Sequence, residues 1–586
     1  MKKILTTAII GLFLFTPIST FSITSKVINK NNCLSCPQKF SSFNENFDLL
    51  IVAHPNFVDT LESFKTYKIE KRNLSTALVT TIDIYAGNYF PVVGNDDIEK
   101  IKYFIKNAIE NWGVSYVLLI GDTTLIPVRY SNNGFTALEK KFPTDLYYAD
   151  IYMTDTDGSK VFANWDADGD KNYSEFPDDN SMVDLYPDIC LGRLPCKDSQ
   201  EVKSVIDKIM DFEQNSYLQK PVDKILQLGG DTVWYDEYGE FEGEQSNRAV
   251  LDVLKNYQSI SLWASLENLT KNNIDDAFSE GIDFVDFSGH GAADRWFTYA
   301  HCDGETQLPK ARFLFDEPGF TNDDASRLIN KKLPIAVICS CLCGQFTSRD
   351  CLAWALLKNK NGGSIASFAH SGLSNFNSPS SGATHLDRWA PWLQVKIFEE
   401  LSQNNIPGEV WKSSICEYVE YWKQIGFDEG KSFNDADYRT VETLTLIGDP
   451  SLNEIGKNNG DNNPPDRPTV AGPTSVQVGE MYDYFFNCSD PEGDDLTFYI
   501  DWDDDLVDPS VGPASSEETI GKNHSWKLRG KKQIKVQAKD ERGAESEWTS
   551  LEITVSKKIR HKPLFIFNFL EFLTKTFKYC SSINNC

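Results

Sequence analysis

IDFVDFSGHG (Ile282–Gly291) and LPIAVICSC (Leu333–Cys341) decide the fold, because each is a short apolar run that breaks into a loop of small residues. Runs of this length bounded by turn formers read as strands buried on both faces. ILQLGGD (Ile225–Asp231) precedes them and GGSIASFAHSG (Gly362–Gly372) follows, with helical stretches such as Asn247–Asn256 and Cys351–Lys358 between. Strand, helix and strand in alternation predict a parallel sheet with crossover helices. Loops leaving the C-terminal edge of such a sheet are where ligands and catalytic groups gather.

The pattern extends towards the N-terminus. DLLIVAHP (Asp48–Pro55) and VSYVLLIGD (Val114–Asp122) read as further buried strands. Between them, Ile98, Ile101, Phe104, Ile105 and Ile109 take helical spacing over Asp96–Asn111. The expected fold class is α/β: two α/β subdomains with mostly parallel sheets, residues 47–222 and 223–456. KNNGDNNPPDRP (Lys457–Pro468) has linker composition, and a linker is expected over 457–466. Beyond it, alternating segments such as LTFYIDW and KKQIKVQAKD predict an all-β immunoglobulin-like sandwich over 467–556. The tail, 557–586, has no assigned role and is a candidate for cell-envelope attachment.

At the other end, Lys2 and Lys3 precede the apolar run Ile4–Phe15, then Pro17, Ser19 and Ser22. That order predicts a secretory signal over 1–22, followed by a linker or short pro-segment over 23–46, and a secreted or cell-surface protein. The apolar run is short for a membrane span. A formal net charge of −28 repels phosphate backbones, which argues against nucleic acid as a partner. The 13 cysteines are odd in number, so at least one thiol stays free or pairs outside the chain. Cys33 with Cys36, and Cys580 with Cys586, are candidate local disulfides.

Two residues stand where catalysis belongs. His290 lies between Gly289 and Gly291, which deny it packing partners and leave the Gly291 amide free to meet a developing oxyanion. Cys341 ends the next strand in CSCLCGQF, 51 positions on, a gap that suits one strand–helix–strand unit. A thiol beside an imidazole makes an activated nucleophile. Two other readings of the cysteines stay open: buried small apolar residues, or a soft-metal cluster of Cys339, Cys341 and Cys343. Asp286, inside its strand, reads as buried and paired. DADGDKNYSE (Asp166–Glu175) sets oxygen donors at Asp166, Asp168, Asp170, Asn172 and Glu175, the alternation that structural calcium needs, though Lys171 and the early Gly169 depart from the EF-hand pattern.

FSGHG (Phe287–Gly291) and SCLCGQF (Ser340–Phe346) resemble the His and Cys motifs of the gingipain-type cysteine peptidases, family C25, which have a caspase-like fold. DLLIVAHPNFVDTLESFKTYK, YVLLIGDTTLIP, PTDLYYADIY, YPDICLGRLP and TLIGDPSL resemble that family's segments in its own order, over roughly Asp48–Leu452. The resemblance implies an endopeptidase acting on proteins or peptides, with Cys341 as nucleophile and His290 as base. It also implies an oxyanion hole from the amides of Gly291 and Cys341, and an accessory Cys343. It sets Asp231 in the place of a glutamate that orients the histidine. Glu242 or Glu244, with Phe376, would line a pocket for a basic P1 side chain. FYIDWDDD and HSWKLRGKKQIKVQAKDERG resemble an immunoglobulin-like module of the PKD type. A non-catalytic surface adhesin on the same fold is the alternative function.

Overall fold

The computed structural model describes residues 46–134, 139–154, 159–214, 221–232, 241–299, 312–313, 319–347, 350–376, 386–404, 406–429, 432–452, 464–491, 496–504, 507–540 and 544–557. The expected signal, the 23–45 stretch, most of the interdomain linker, the tail beyond 557 and Cys33, Cys36, Cys580 and Cys586 lie outside them. The chain forms two compact units, Met1–Gly456 and Lys457–Cys586.

The first unit is built on ten strands: β1 (Leu49–Ala53), β2 (Thr76–Thr80), β3 (Tyr116–Ile120), β4 (Cys190–Leu194), β5 (Lys224–Gly229), β6 (Gln258–Trp263), β7 (Phe284–Ser288), β8 (Ile335–Cys339), β9 (Ala366–His370) and β10 (Leu444–Ile447). They make a single sheet in the order β6-β5-β7-β8-β9-β10-β4-β3-β1-β2. Neighbours are parallel throughout, except that β9 and β10 are antiparallel. The two expected α/β subdomains therefore share one sheet, whose halves run in opposite directions and meet at β9–β10. The seam was not visible in the sequence, because β10 is only four residues long and joins the half built from the earlier part of the chain.

Residues of β1, β4, β7, β9 and β10 are all buried, as continuous apolar strands covered on both faces must be. Helix Asp97–Trp112 starts where the Asp96 side chain accepts from the Glu99 amide and stops at Gly113, whose φ of 75° closes it. Helices Glu242–Val253 and Trp389–Leu401 pack on each other beside β5, β7 and β8. Between them lies Asp286, fully buried as expected. Its carboxylate accepts from Asn247 Nδ2 at 2.7 Å, from Gln227 Nε2 at 3.4 Å and from Gln394 Nε2.

The second unit is all-β. A three-stranded sheet (Thr469–Ala471, Tyr482–Asn487, Ile520–His524) and a five-stranded sheet (Ser475–Gln477, Thr549–Ser556, Gly530–Asp540, Leu496–Asp501, Val507–Ala514) enclose a core that includes Tyr484, Phe498, Trp502 and Trp526. Burial alternates along Gly530–Asp540, as period-2 patterning requires. Among the described residues of both units, no helix is long and apolar enough to cross a membrane.

Helix Asp435–Thr443 feeds β10 and carries Glu442, which is buried and accepts from Ser131 Oγ at 2.8 Å and from Ser174 Oγ. Burial, opposed by these hydroxyls, pushes its carboxyl from 4.5 up to about 8. The folded protein then holds this proton more tightly than the unfolded chain does. Stability from this group is present below about pH 4.5 and is lost as pH rises through about 8. Glu442→Gln should flatten that fall: melting temperatures from pH 5 to 9 will decline less steeply in the variant. Parallel curves for the two proteins would refute the assignment.

Candidate active site

β7 and β8 pair in parallel with Ser288 opposite Cys339, and the Gly289 amide extends the ladder to Cys339 O at 3.3 Å. His290 and Cys341 each stand two residues beyond that pair, so both follow the C-terminal ends of adjacent strands at one edge of the sheet. After Ser288 the chain continues as a hairpin, His290–Ala292 against Arg295–Tyr299. After Cys339 it turns sharply. Leu342 takes a left-handed φ of 62°, uncommon for a branched side chain. The turn is pinned to the end of β9 and the loop beyond: Leu342 N donates to Gly372 O at 3.0 Å, and Gly344 N to His370 O at 2.8 Å.

The two loops touch. A Cβ placed on Gly291 would lie 2.3 Å from Cys341 O, 2.7 Å from Cys343 Sγ and 2.8 Å from Ser340 Oγ. Glycine at 291 is thus required by close approach. Cys343 is buried, its sulfur within 3.0 Å of Ser340 Oγ and 3.3 Å of Arg295 O. It plugs the base of the turn. Cys341, Cys343 and Cys351 are free thiols, whereas Cys416 is disulfide-bonded.

The Cys341 sulfur accepts from Ser374 N at 3.4 Å and lies 3.6 Å from Ser374 Oγ. Burial pushes this thiol up, and the Ser374 contacts oppose the shift. His290 is half-buried, its ring against Phe297 (5.6 Å between centroids) and Tyr299 (5.2 Å). Burial holds its pKa below the ordinary histidine value, opposed by a hydrogen bond from Nε2 to Thr232 O at 2.8 Å. A carbonyl only accepts, so Nε2 carries the proton and Nδ1 of the neutral ring keeps a lone pair. Phe376 stands at the rim, 6.5 Å from the His290 ring.

Three expectations need correction. The imidazole's hydrogen bond goes to the main chain of Thr232, not to the Asp231 carboxylate. Asp231 is held in a bridge with Tyr299, and its carboxylate lies near Glu242, whose pKa it raises. Glu242 and Glu244 are both fully buried rather than open to a substrate. Glu244 accepts from Ser265 N (2.8 Å), Ser265 Oγ (2.6 Å) and Arg248 (3.0 Å), while Glu242 holds Thr232. Glu139 accepts from Leu373 N at 2.9 Å, next in the chain to Ser374, whose amide donates to the Cys341 sulfur.

The calcium loop also differs from expectation. Oxygens of Asp166, Asp168 and Asp179 lie within 4.8 Å of one another. Left-handed φ values at Gly169 (79°), Lys171 (72°) and Ser174 (58°) fold the loop back to bring Asp179 in. Asp170 instead binds Asn172 N and Nδ2 (both 2.7 Å), Asn172 Oδ1 accepts from Asn132, and Glu175 lends its amide to Asp179. Burial raises the Asp179 carboxyl, and Asp166 and Asp168 add to the rise. Three mutually repelling carboxylates fit a hard dication.

Residues 42–454 match peptidase family C25. The chain belongs to that family. Gingipain R2 of Porphyromonas gingivalis is 24% identical over 424 residues, covering 70% of this chain and 46% of that protein. Gingipain R1 of the same organism is 24% identical over 424 residues, covering 70% of this chain and 34% of the relative. The chain spans less than half the length of these relatives. The PKD domain of an M14-like peptidase from a Thermoplasmatales archaeon is 40% identical over 16% of this chain and 99% of that domain, with a TM-score of 0.16.

Gly291→Ala should cut peptide hydrolysis by about 100-fold, the usual consequence of moving a reacting group by about 1 Å. Circular dichroism should stay unchanged. A fully active alanine variant would show that the close approach to Cys341 O is dispensable.

Proposed function

We propose that the protein is a secreted cysteine endopeptidase in which His290 and Cys341 form the catalytic dyad. The observation that carries this reading is the register Ser288–Cys339, which brings both residues to one edge, with the Gly291 backbone against the Cys341 carbonyl. His290 Nδ1 takes the Cys341 proton, and the thiolate attacks the scissile carbonyl. The amides of Gly291 and Cys341 hold the oxyanion. Collapse of the adduct breaks the C–N bond, the amine leaves with the proton from His290, and water cleaves the thioester.

The finer features of the reading follow from named residues. A caspase-like arrangement is supported by the parallel half-sheet β6-β5-β7-β8-β9. The second unit, with two sheets around one core, is read as an immunoglobulin-like PKD module. Export is supported by Lys2, Lys3 and the Ile4–Phe15 run, and the tail is proposed to serve attachment to the envelope. A preference for basic P1 residues is proposed to rest on Glu139, whose carboxylate accepts from Leu373 N, next in the chain to Ser374, whose amide donates to the Cys341 sulfur. Structural calcium is proposed at Asp166, Asp168 and Asp179.

Wild-type protein should cleave an unfolded protein substrate, and Cys341→Ala should not. On reporters ending in Arg, Lys and Ala the first two should be cleaved faster, and equal rates on all three would remove the basic preference. Chelator should lower the melting temperature of the wild type but not that of Asp179→Asn. An identical wild-type melting temperature with and without chelator would sink the calcium assignment.

A further inference from the structure

Glu242 begins helix Glu242–Val253, ten positions after Thr232 in the chain. Its Oε2 accepts from both Thr232 N (2.9 Å) and Thr232 Oγ1 (3.0 Å). The same helix end is tied to the end of β5 a second time, by Gly243 N donating to Gly230 O at 3.0 Å. On the other side, Asp231 N donates to Tyr299 O (3.1 Å), Tyr299 N to Asp231 O (3.0 Å) and Thr298 Oγ1 to Asp231 O (2.9 Å). Residues 231–232 are therefore clamped between the helix end and the strand whose Phe297 and Tyr299 support the His290 ring. Among the described residues, the one hydrogen bond from that ring runs to Thr232 O.

We propose that Glu242 is a positioning residue for the dyad: by holding Thr232 through its amide and hydroxyl, it fixes the carbonyl that sets the tautomer and tilt of His290. This inference rests on the peptidase reading above and deepens it.

The geometry favours this role over that of a pocket acid. Glu242 is fully buried, and its Oε2 is taken by Thr232. Among the described residues, its Oε1 has no hydrogen-bond partner and neither oxygen contacts Cys341 or Ser374. A carboxylate at the first turn of a twelve-residue helix also meets the positive end of the helix dipole. Burial, with Asp231 nearby, pushes this carboxyl up to about 7, so the site tolerates a neutral acceptor as well as a charged one. Glutamine offers an oxygen of the same reach, whereas alanine offers none.

The test compares wild type, Glu242→Gln, Glu242→Ala, Thr232→Val and Cys341→Ala on Arg- and Ala-terminated reporters, with melting temperature as the fold check. Glu242→Ala should lower kcat by about 100-fold, the scale of a misplaced catalytic group, with KM changed less than about 3-fold. The Arg-to-Ala ratio should stay as in the wild type. Glu242→Gln should rescue most of the loss. Thr232→Val, which loses the hydroxyl bond alone, should reduce kcat severalfold on both reporters, and this variant carries the test if Glu242→Ala fails to fold. Full kcat in both Glu242→Ala and Thr232→Val would overturn the inference while leaving the peptidase reading intact. So would a loss confined to the Arg reporter and expressed in KM, which would make Glu242 a pocket acid. Wild-type protein as inactive as Cys341→Ala on both reporters would overturn both readings.

Discussion

The parallel pairing of β7 with β8 is the constraint on which the site depends. Side chains alternate along a strand, so a slip of one residue would displace His290 relative to Cys341 and throw every buried residue of β7 to the opposite face. Burial alone resists such a slip weakly, because both faces of β7 are covered. Asp286 removes the ambiguity. Its carboxylate, raised to about 7 by burial, is satisfied only on the face where Asn247, Gln394 and Gln227 meet it. Asn247 and Gln394 also reach Ser288 Oγ, at 3.2 and 2.6 Å, two residues before the imidazole. A polar group that does no chemistry thus sets the register for the groups that do.

The opposed halves of the sheet have a second consequence. C-terminal strand ends of β6-β5-β7-β8-β9 share the edge that carries the site, while those of β4-β3-β1-β2 face the other way. The crossover between parallel β3 and β4 must travel from one edge to the other. It passes the site on the way: Glu139 binds Leu373 N, Ser371 Oγ donates to Pro143 O at 2.6 Å, and Phe142 packs against Gly372. The first half therefore contributes walls to a site whose reactive groups belong to the second. Ser174, in the carboxylate loop of the same crossover, binds Glu442 next to β10. The loop that would hold calcium and the loop that carries Ser374 are both fastened to helix Asp435–Thr443, the latter through Arg439 NH1 on Asn375 Oδ1 at 2.8 Å.

Much of this was legible in the residues. The runs at Asp48–Pro55, Val114–Asp122, Ile282–Gly291 and Leu333–Cys341 became β1, β3, β7 and β8, because continuous apolar runs ending in glycine or small residues have few alternatives. Helix Asn247–Asn256 was placed too late, since it begins at Glu242, where acidic residues of the first turn read as loop. What was illegible has a common physical cause: it is carried by backbone or by long-range closure. A carbonyl orients His290, and any residue at 232 has a carbonyl. Asp179 joins Asp166 and Asp168 only after left-handed turns have brought the chain back. Glu242 and Glu244 looked like surface charge or pocket acids because burial of a carboxylate depends on partners, and no local pattern names Thr232 or Ser265.

The protonation states of the pair follow from the same packing. Burial raises the Cys341 thiol and lowers the His290 imidazole, so the packing favours the uncharged form of each. The ring is flanked by Phe297, Tyr299 and Phe376, which offer no charge to stabilise an imidazolium, and only the Thr232 carbonyl works the other way. That carbonyl acquires its full value only when the ring takes a second proton, since an imidazolium N–H makes a stronger hydrogen bond than a neutral one. Under the proposed mechanism, thiolate formation would be coupled to the moment when negative charge moves to the peptide oxygen, where backbone amides could receive it. In the proposed mechanism, a thiol and an imidazole that packing keeps uncharged would concentrate the electrostatic gain in the transition state, where it accelerates a reaction.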